Sequence, residues 1–160
     1  MVSVISTFSP FPLPEPMRQA LLQAESAAHQ GEVPVGAVVT FKGKIIAVAG
    51  NAMQPPFIDP TGHAEVRALR QAASVLGSSR LDQCDLWVTL EPCAMCAGAI
   101  ATARIRRLYY GADDPKGGAV LSGVRLFFQP SCHHQPEIYN DLGSRKASEL
   151  LRQFFKQKRK

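Results

Sequence analysis

Two short motifs constrain the fold of this chain more than any other feature. His63-Ala64-Glu65 and Pro92-Cys93-Ala94-Met95-Cys96 each stand where a loop or a strand runs into a helix. Cys93 and Cys96 are three residues apart, so they share one face of a first helical turn. The positive end of a helix favours the thiolate, which is the form that binds metal. His63, from a second helix start, would complete three protein ligands. A Cys2His set leaves one tetrahedral position open for water, which is the arrangement of a catalytic zinc site and not of a closed structural one. The fold must therefore bring two distant helix starts to one point.

Glu65 gives the pattern its chemistry. A carboxylate two residues beyond a ligand, at a helix start, can take a proton from water activated by the metal and pass it to a substrate. A structural zinc knuckle has no use for such a group. The Cys-x-x-Cys alone also fits a thioredoxin-like pair or half of a structural zinc site. A fourth ligand from Cys84 or Cys132 would close the centre. However, Cys84 precedes the strand leading to the site and Cys132 lies in a proline-rich loop, so both read as packed or exposed thiols.

Periodicity places these motifs. Four prolines in Ser9–Pro16 forbid a helix and predict an extended lead-in over residues 1–15. Apolar residues at helical spacing predict a helix over 16–29, closed by Gly31. Val35–Phe41 and Ile45–Ala49 read as strands joined by a Lys42-Gly43 hairpin turn. After a polar loop, Asn51–Gly62, a helix is expected over His63–Leu76, a buried strand over Asp85–Leu90 and a helix from Pro92 to Ala103. Arg107–Tyr110 is the next strand, and Val124–Phe128 is expected to be a further one. A helix capped by Ser144 should run to about Lys158, with Ala147, Leu150, Leu151, Phe154 and Phe155 as its apolar face. Strands alternating with helices imply an α/β sheet covered by helices and parallel in its second half.

A length of 160 residues fits a single domain, 1–160, with its own core. No apolar run reaches the roughly 18–20 residues that cross a bilayer. The start of the chain has no Lys or Arg before Arg18, so it lacks the charged region of a secretory signal, and a cytoplasmic location is expected. The net charge of +5 is unevenly placed: residues 1–100 carry six basic and eight acidic side chains, residues 101–160 twelve and five. The basic end, Lys156, Lys158, Arg159 and Lys160, suits a polyanionic partner, or is simply a solvated helix end.

Taken together, H-A-E followed by P-C-A-M-C is the signature of the zinc nucleobase deaminases. The chain resembles the bacterial tRNA-specific adenosine deaminases of the cytidine/deoxycytidylate deaminase superfamily. The resemblance rests on E-V-P-V-G-A-V-V at Glu32–Val39, Asn51, D-P-T-G-H-A-E at Asp59–Glu65, T-L-E-P-C-A-M-C-A-G-A at Thr89–Ala99, G-A-D-D-P-K-G-G-A at Gly111–Ala119 and the Phe-Phe-basic ending at Phe154–Lys160. The chain departs from the family at Phe57-Ile58, where an Arg or His usually stands before D-P-T.

The resemblance implies a three-layer α/β/α cytidine-deaminase-like fold, with a central mixed five-stranded sheet and helices on both faces. It implies one Zn2+ per chain on His63, Cys93 and Cys96, no organic cofactor, and Glu65 as the proton shuttle. It further implies substrate contacts from Asn51, Ala64 and Val33. The reaction would be hydrolysis of adenosine to inosine at the wobble position of a tRNA anticodon stem-loop, by a homodimer with no membrane partner. From residue type alone Asn51 also reads as a plain turn residue. Two other functions stay open: deamination of a free base such as guanine or cytosine on the same centre, and a non-catalytic, zinc-stabilised RNA-binding protein.

Overall fold

The computed structural model describes residues 4–6 and 12–159. The elements run β1 (Val4–Ser6), α1 (Glu15–His29), β2 (Gly36–Phe41), β3 (Lys44–Gly50), α2 (Ala64–Leu76), β4 (Cys84–Leu90), α3 (Ala94–Ala103), β5 (Arg107–Ala112), β6 (Glu137–Asn140) and α4 (Ser144–Lys158). The strands form one sheet in the order β1-β6-β5-β4-β2-β3. β2 pairs antiparallel with β3 and β4, whereas β4/β5, β5/β6 and β6/β1 are parallel. The mixed sheet, parallel in its second half, is the one expected, with β1 added to its edge as a sixth strand. The rest of the predicted lead-in falls outside the described residues, except for 12–14.

Local chemistry explains most element ends. Pro14 is extended (φ −54°, ψ 144°), and Pro16 sits in the first turn of α1, where its missing N–H costs nothing. Lys42 and Gly43 both have positive φ (51° and 77°), as the expected hairpin turn requires. Gly77 ends α2 in the left-handed conformation.

One strand assignment is corrected. Val124–Phe128 is not a strand: Leu126–Phe128 form a single 3-10 turn, entered through Arg125 at φ 47°. Positive φ at Gly123 and Arg125 breaks the extended conformation, and Phe127 turns fully into the core. The strand of that region is β6, four residues long, with only Ile138 fully buried.

The helices cover both faces of the sheet. α2 and α3 pack over the larger core, where Ala37 and Val39 of β2 meet Leu86, Val88, Ile100 and Leu108. α1 and α4 cover the other face, around Met17, Val38, Trp87 and Leu142. Gly36 permits that second layer: a Cβ there would lie 1.9 Å from the Ala20 carbonyl oxygen of α1. Tyr109 stacks between Trp87 and Tyr139, with centroids at 3.8 and 4.8 Å, and Tyr110 is fully buried, so both serve as packing residues. Among the described residues no helix is long and apolar enough to cross a membrane.

Candidate metal centre and active site

The two motifs meet where the sheet's helices begin. His63 and Cys93 are the N-cap residues of α2 and α3, both with extended backbone (φ −71°, ψ 148° and φ −74°, ψ 176°). Neither side chain caps its own helix, so both are free to point outward to a shared centre. Nδ1 of His63 lies 3.6 Å from Sγ of Cys93 and 3.4 Å from Sγ of Cys96. All three ligand atoms lie within 4.8 Å of one another, and among the described residues they form the one group of three able to hold a metal ion.

The donor set fits zinc. Bonds of about 2.3 Å to sulfur and about 2.0 Å to nitrogen, at tetrahedral angles, put ligand atoms about 3.5 Å apart. The other two cysteines stay outside: Cys84 is buried in the core, and the Cys132 thiol donates to the His134 carbonyl at 3.1 Å. Among the described residues three side chains could therefore hold a metal ion here.

The three side chains and Glu65 are electrostatically coupled. The Cys96 hydrogen bond, together with His63, lowers Cys93 to about 4, against the opposing effect of burial. Its bond to Cys93 and its burial push Cys96 up. The hydrogen bond to Cys93 raises His63 despite its partial burial. Glu65 stands in the first turn of α2 and is only 4% exposed. Burial pushes its carboxyl above the usual carboxylate range, partly offset by hydrogen bonding that includes the Cys96 thiol.

Asn51 is buried, and its Oδ1 accepts a hydrogen bond from the Ala64 N–H at 2.9 Å. It is thus tied to the helix start beside His63 instead of standing in a free turn. Ala64 is fully buried there. Val33 lies in the turn before β2, partly buried against the core cluster that includes Ala64, and no hydrogen bond ties it to the metal side chains. Gly62, directly before His63, is required by the loop: a Cβ would come within 2.3 Å of the Ala52 carbonyl oxygen.

Two buried glutamates escaped the sequence reading. Glu32, 3% exposed, accepts hydrogen bonds from the N–H groups of Met53 and Gln54, each at 2.9 Å. Glu91, 2% exposed, accepts five, from the N–H groups of Asp114, Val120, Leu121 and Ser122 and from the Ser122 hydroxyl, at 2.9–3.0 Å. Burial alone would raise the Glu91 carboxyl, but these donors outweigh it and hold it low. Each glutamate fixes a loop flanking the metal centre. The one sequence signal was a carboxylate beside an apolar residue, at Glu32-Val33 and Leu90-Glu91.

A mixed sheet between helix layers, with a Cys2His group and a buried carboxyl where two helices start, defines a deaminase. The profile of the MafB19-like deaminase family accordingly matches residues 14–159. A tRNA-specific adenosine deaminase of Agrobacterium fabrum is 55% identical over 143 residues, covering 89% of this chain and 93% of the relative. That of Aquifex aeolicus is 39% identical, again over 89% of this chain and 93% of the relative. The chain belongs to the family of the tRNA-specific adenosine deaminases.

A solved structure from a study of A-to-I editing by tRNA:A34 deaminases at the wobble position superposes with a TM-score of 0.83 at 54% identity, covering 85% of this chain and 98% of that one. A guanine deaminase structure from Bacillus subtilis reaches a TM-score of 0.59 at 41% identity, over 61% of this chain and 62% of that one.

Proposed function

We propose that this chain, as one domain over residues 1–160, hydrolyses adenosine to inosine at the wobble position of a tRNA anticodon, releasing ammonia. His63, Cys93 and Cys96 hold one zinc ion per chain. The observation that carries the reading is the buried Glu65 carboxyl beside a three-ligand centre, in a chain 55% identical to a named tRNA-specific adenosine deaminase.

A zinc ion held there supplies the Lewis acidity that makes water nucleophilic near neutral pH. Glu65 takes a proton from the attacking water and delivers it to N1 of the adenine ring. Oxygen adds at C6, Glu65 carries the remaining proton of that C6 hydroxyl to the amino group, and the C6–N6 bond breaks to release ammonia. Asn51 has committed its Oδ1 to Ala64, so its amide N–H groups remain to donate to the base. Ala64 and Val33 wall the pocket. The unpaired anticodon loop makes the target base cheap to extrude.

The basic end of α4, Lys156, Lys158 and Arg159, meets backbone phosphates of the stem-loop. The working form is a homodimer in the cytoplasm. α3 supports a dimer, since Thr102 is its one hydroxyl-bearing side chain and it carries no charge, yet it leaves Met95 exposed and open space over Gly98.

The test is incubation with an anticodon stem-loop carrying a wobble adenosine, in parallel with free guanine, cytosine and adenine. Inosine in the RNA is the expected product. Ammonia from a free base alone overturns the reading in favour of a free-base deaminase. Glu65→Ala protein should retain one zinc and lose turnover; if it deaminates at the wild-type rate, Glu65 does not shuttle the proton.

A further inference from the structure

We infer that the outer edge of β6 is a strand-addition site. It takes an extended, β-branched peptide segment in parallel register, and Val4–Ser6 is the segment that the chain docks there for itself. The inference does not depend on the RNA substrate proposed above. β1 pairs only with β6, as Val4↔Ile138, Ile5↔Tyr139 and Ser6↔Asn140. Among the described elements it touches no other. The family profile starts at residue 14, so β1 is no part of the stretch it matches.

The edge has backbone groups to offer. Glu137 gives its N–H to the Arg106 carbonyl at 3.0 Å, on the β5 side. N–H groups alternate between the two sides of a strand, so Tyr139 also points to β5, whereas Ile138 and Asn140 point outward. An outward row of backbone groups is a template for one more strand. The register sets Ile5 between Ile138 and Asn140, where its own N–H and carbonyl meet theirs. The opposite edge of the sheet is managed by a side chain: Oε1 of Gln71 accepts the Val48 N–H of β3 at 2.9 Å.

The edge is held without its occupant. Ile138 is fully buried in the larger core, Tyr139 stacks on Tyr109 at 4.8 Å, and Arg107 holds Glu137 at 2.9 Å. None of these contacts involves β1. β1 itself is joined to the core at Leu13, which packs in the cluster under α1 and α4, and residues 7–12 lie between. Three ladder pairs are a small hold, so β1 can leave while β6 stays. Val4 and Ile5 are β-branched, as a pleated partner strand favours. The ligand class is therefore an extended segment of this kind with a backbone N–H at its centre.

The experiment uses the full chain and residue-resolved amide hydrogen exchange. Ile5→Pro removes the central N–H, and Ile5→Ala keeps it. In Ile5→Pro the Ile138 and Asn140 amides should exchange about tenfold faster or more, with Tyr139 unchanged, and Ile5→Ala should keep them near wild type. A synthetic peptide of residues 1–9 should restore their protection in Ile5→Pro. A labelled copy should bind wild type about tenfold more weakly or worse, because the tethered strand competes at an effective concentration on the order of 1 mM. Equal exchange in wild type and Ile5→Pro overturns the inference, since β1 then does not hold the edge. Faster exchange at Tyr139 as well overturns it, because β6 then has no edge of its own to offer. Equal peptide binding to both proteins places the peptide elsewhere and has the same effect. If Ile5→Pro self-associates and the peptide does not reverse it, the edge takes a second copy and the peptide site fails.

Discussion

Glu91 shows how much of a site can depend on a residue that does no chemistry. It precedes the Pro92-Cys93 step, and one carboxylate gathers four backbone N–H groups and a hydroxyl from the segment 114–122. The same segment is fixed to the motif by the Ala119 N–H to Pro92 carbonyl bond and by the bridge between Cys93 and Gly118. Removing the carboxylate strands several donors in a place water barely reaches, at about 1–3 kcal/mol for each one left unsatisfied. Glu91→Ala should therefore lower unfolding free energy by about 3 kcal/mol or more, read as a lower denaturant midpoint at unchanged slope. Glu91→Gln should cost less, because its amide oxygen can still serve the three N–H groups now on Oε2. A loss below about 1 kcal/mol for the alanine variant would show that the segment stands without it. The sequence could not reveal this role, because the five donors lie more than twenty residues away and are mostly backbone groups, which no side-chain pattern announces.

At the scale of elements, legibility followed the strength of periodicity. α1, α2 and α4 carry apolar residues at helical spacing over three or more turns, and their bounds fell within a residue of expectation. β6 has four residues and one fully buried side chain, too little alternation to register, whereas Val124–Phe128 carries β-favouring residues that Gly123 and Arg125 turn into a 3-10 bend. α4 also separates packing from binding along its length. Ala147 and Phe154 are buried, and Lys146 pairs with Glu25 of α1 at 3.2 Å, while Phe155, Lys156 and Arg159 line an exposed groove. Removing residues 156–160 should therefore leave the fold intact and weaken RNA binding. The slope of log affinity against log salt should flatten by about 0.7 for each phosphate that is no longer neutralised. A slope unchanged by the truncation would mean that the basic end is only a solvated terminus.

At the scale of the whole molecule, the sheet and the metal centre are one design. β4 leads into α3, and the loop after β3 leads into α2, so the order of strands delivers His63 to Cys93 and Cys96 although it lies 30 residues before the first of them. This is why the convergence of His63, Cys93 and Cys96 was legible from two motifs: their residue types and spacing belong at helix starts, and the fold brings two such starts together. A metal ion held there would fasten the start of α2 to the start of α3. An ion that binds only the folded chain stabilises it by mass action, about 4 kcal/mol when free zinc exceeds its dissociation constant a thousandfold. For a chain of this size each kcal/mol moves the melting temperature by about 2–4 °C. Chelation should therefore lower the melting temperature by about 10 °C, and added zinc should restore it. His63→Ala should melt low in both conditions, because its centre keeps only two ligands. A melting temperature that ignores both chelator and zinc would mean the cysteines and histidine meet for packing alone, and the zinc chemistry proposed for this chain would lose its foundation.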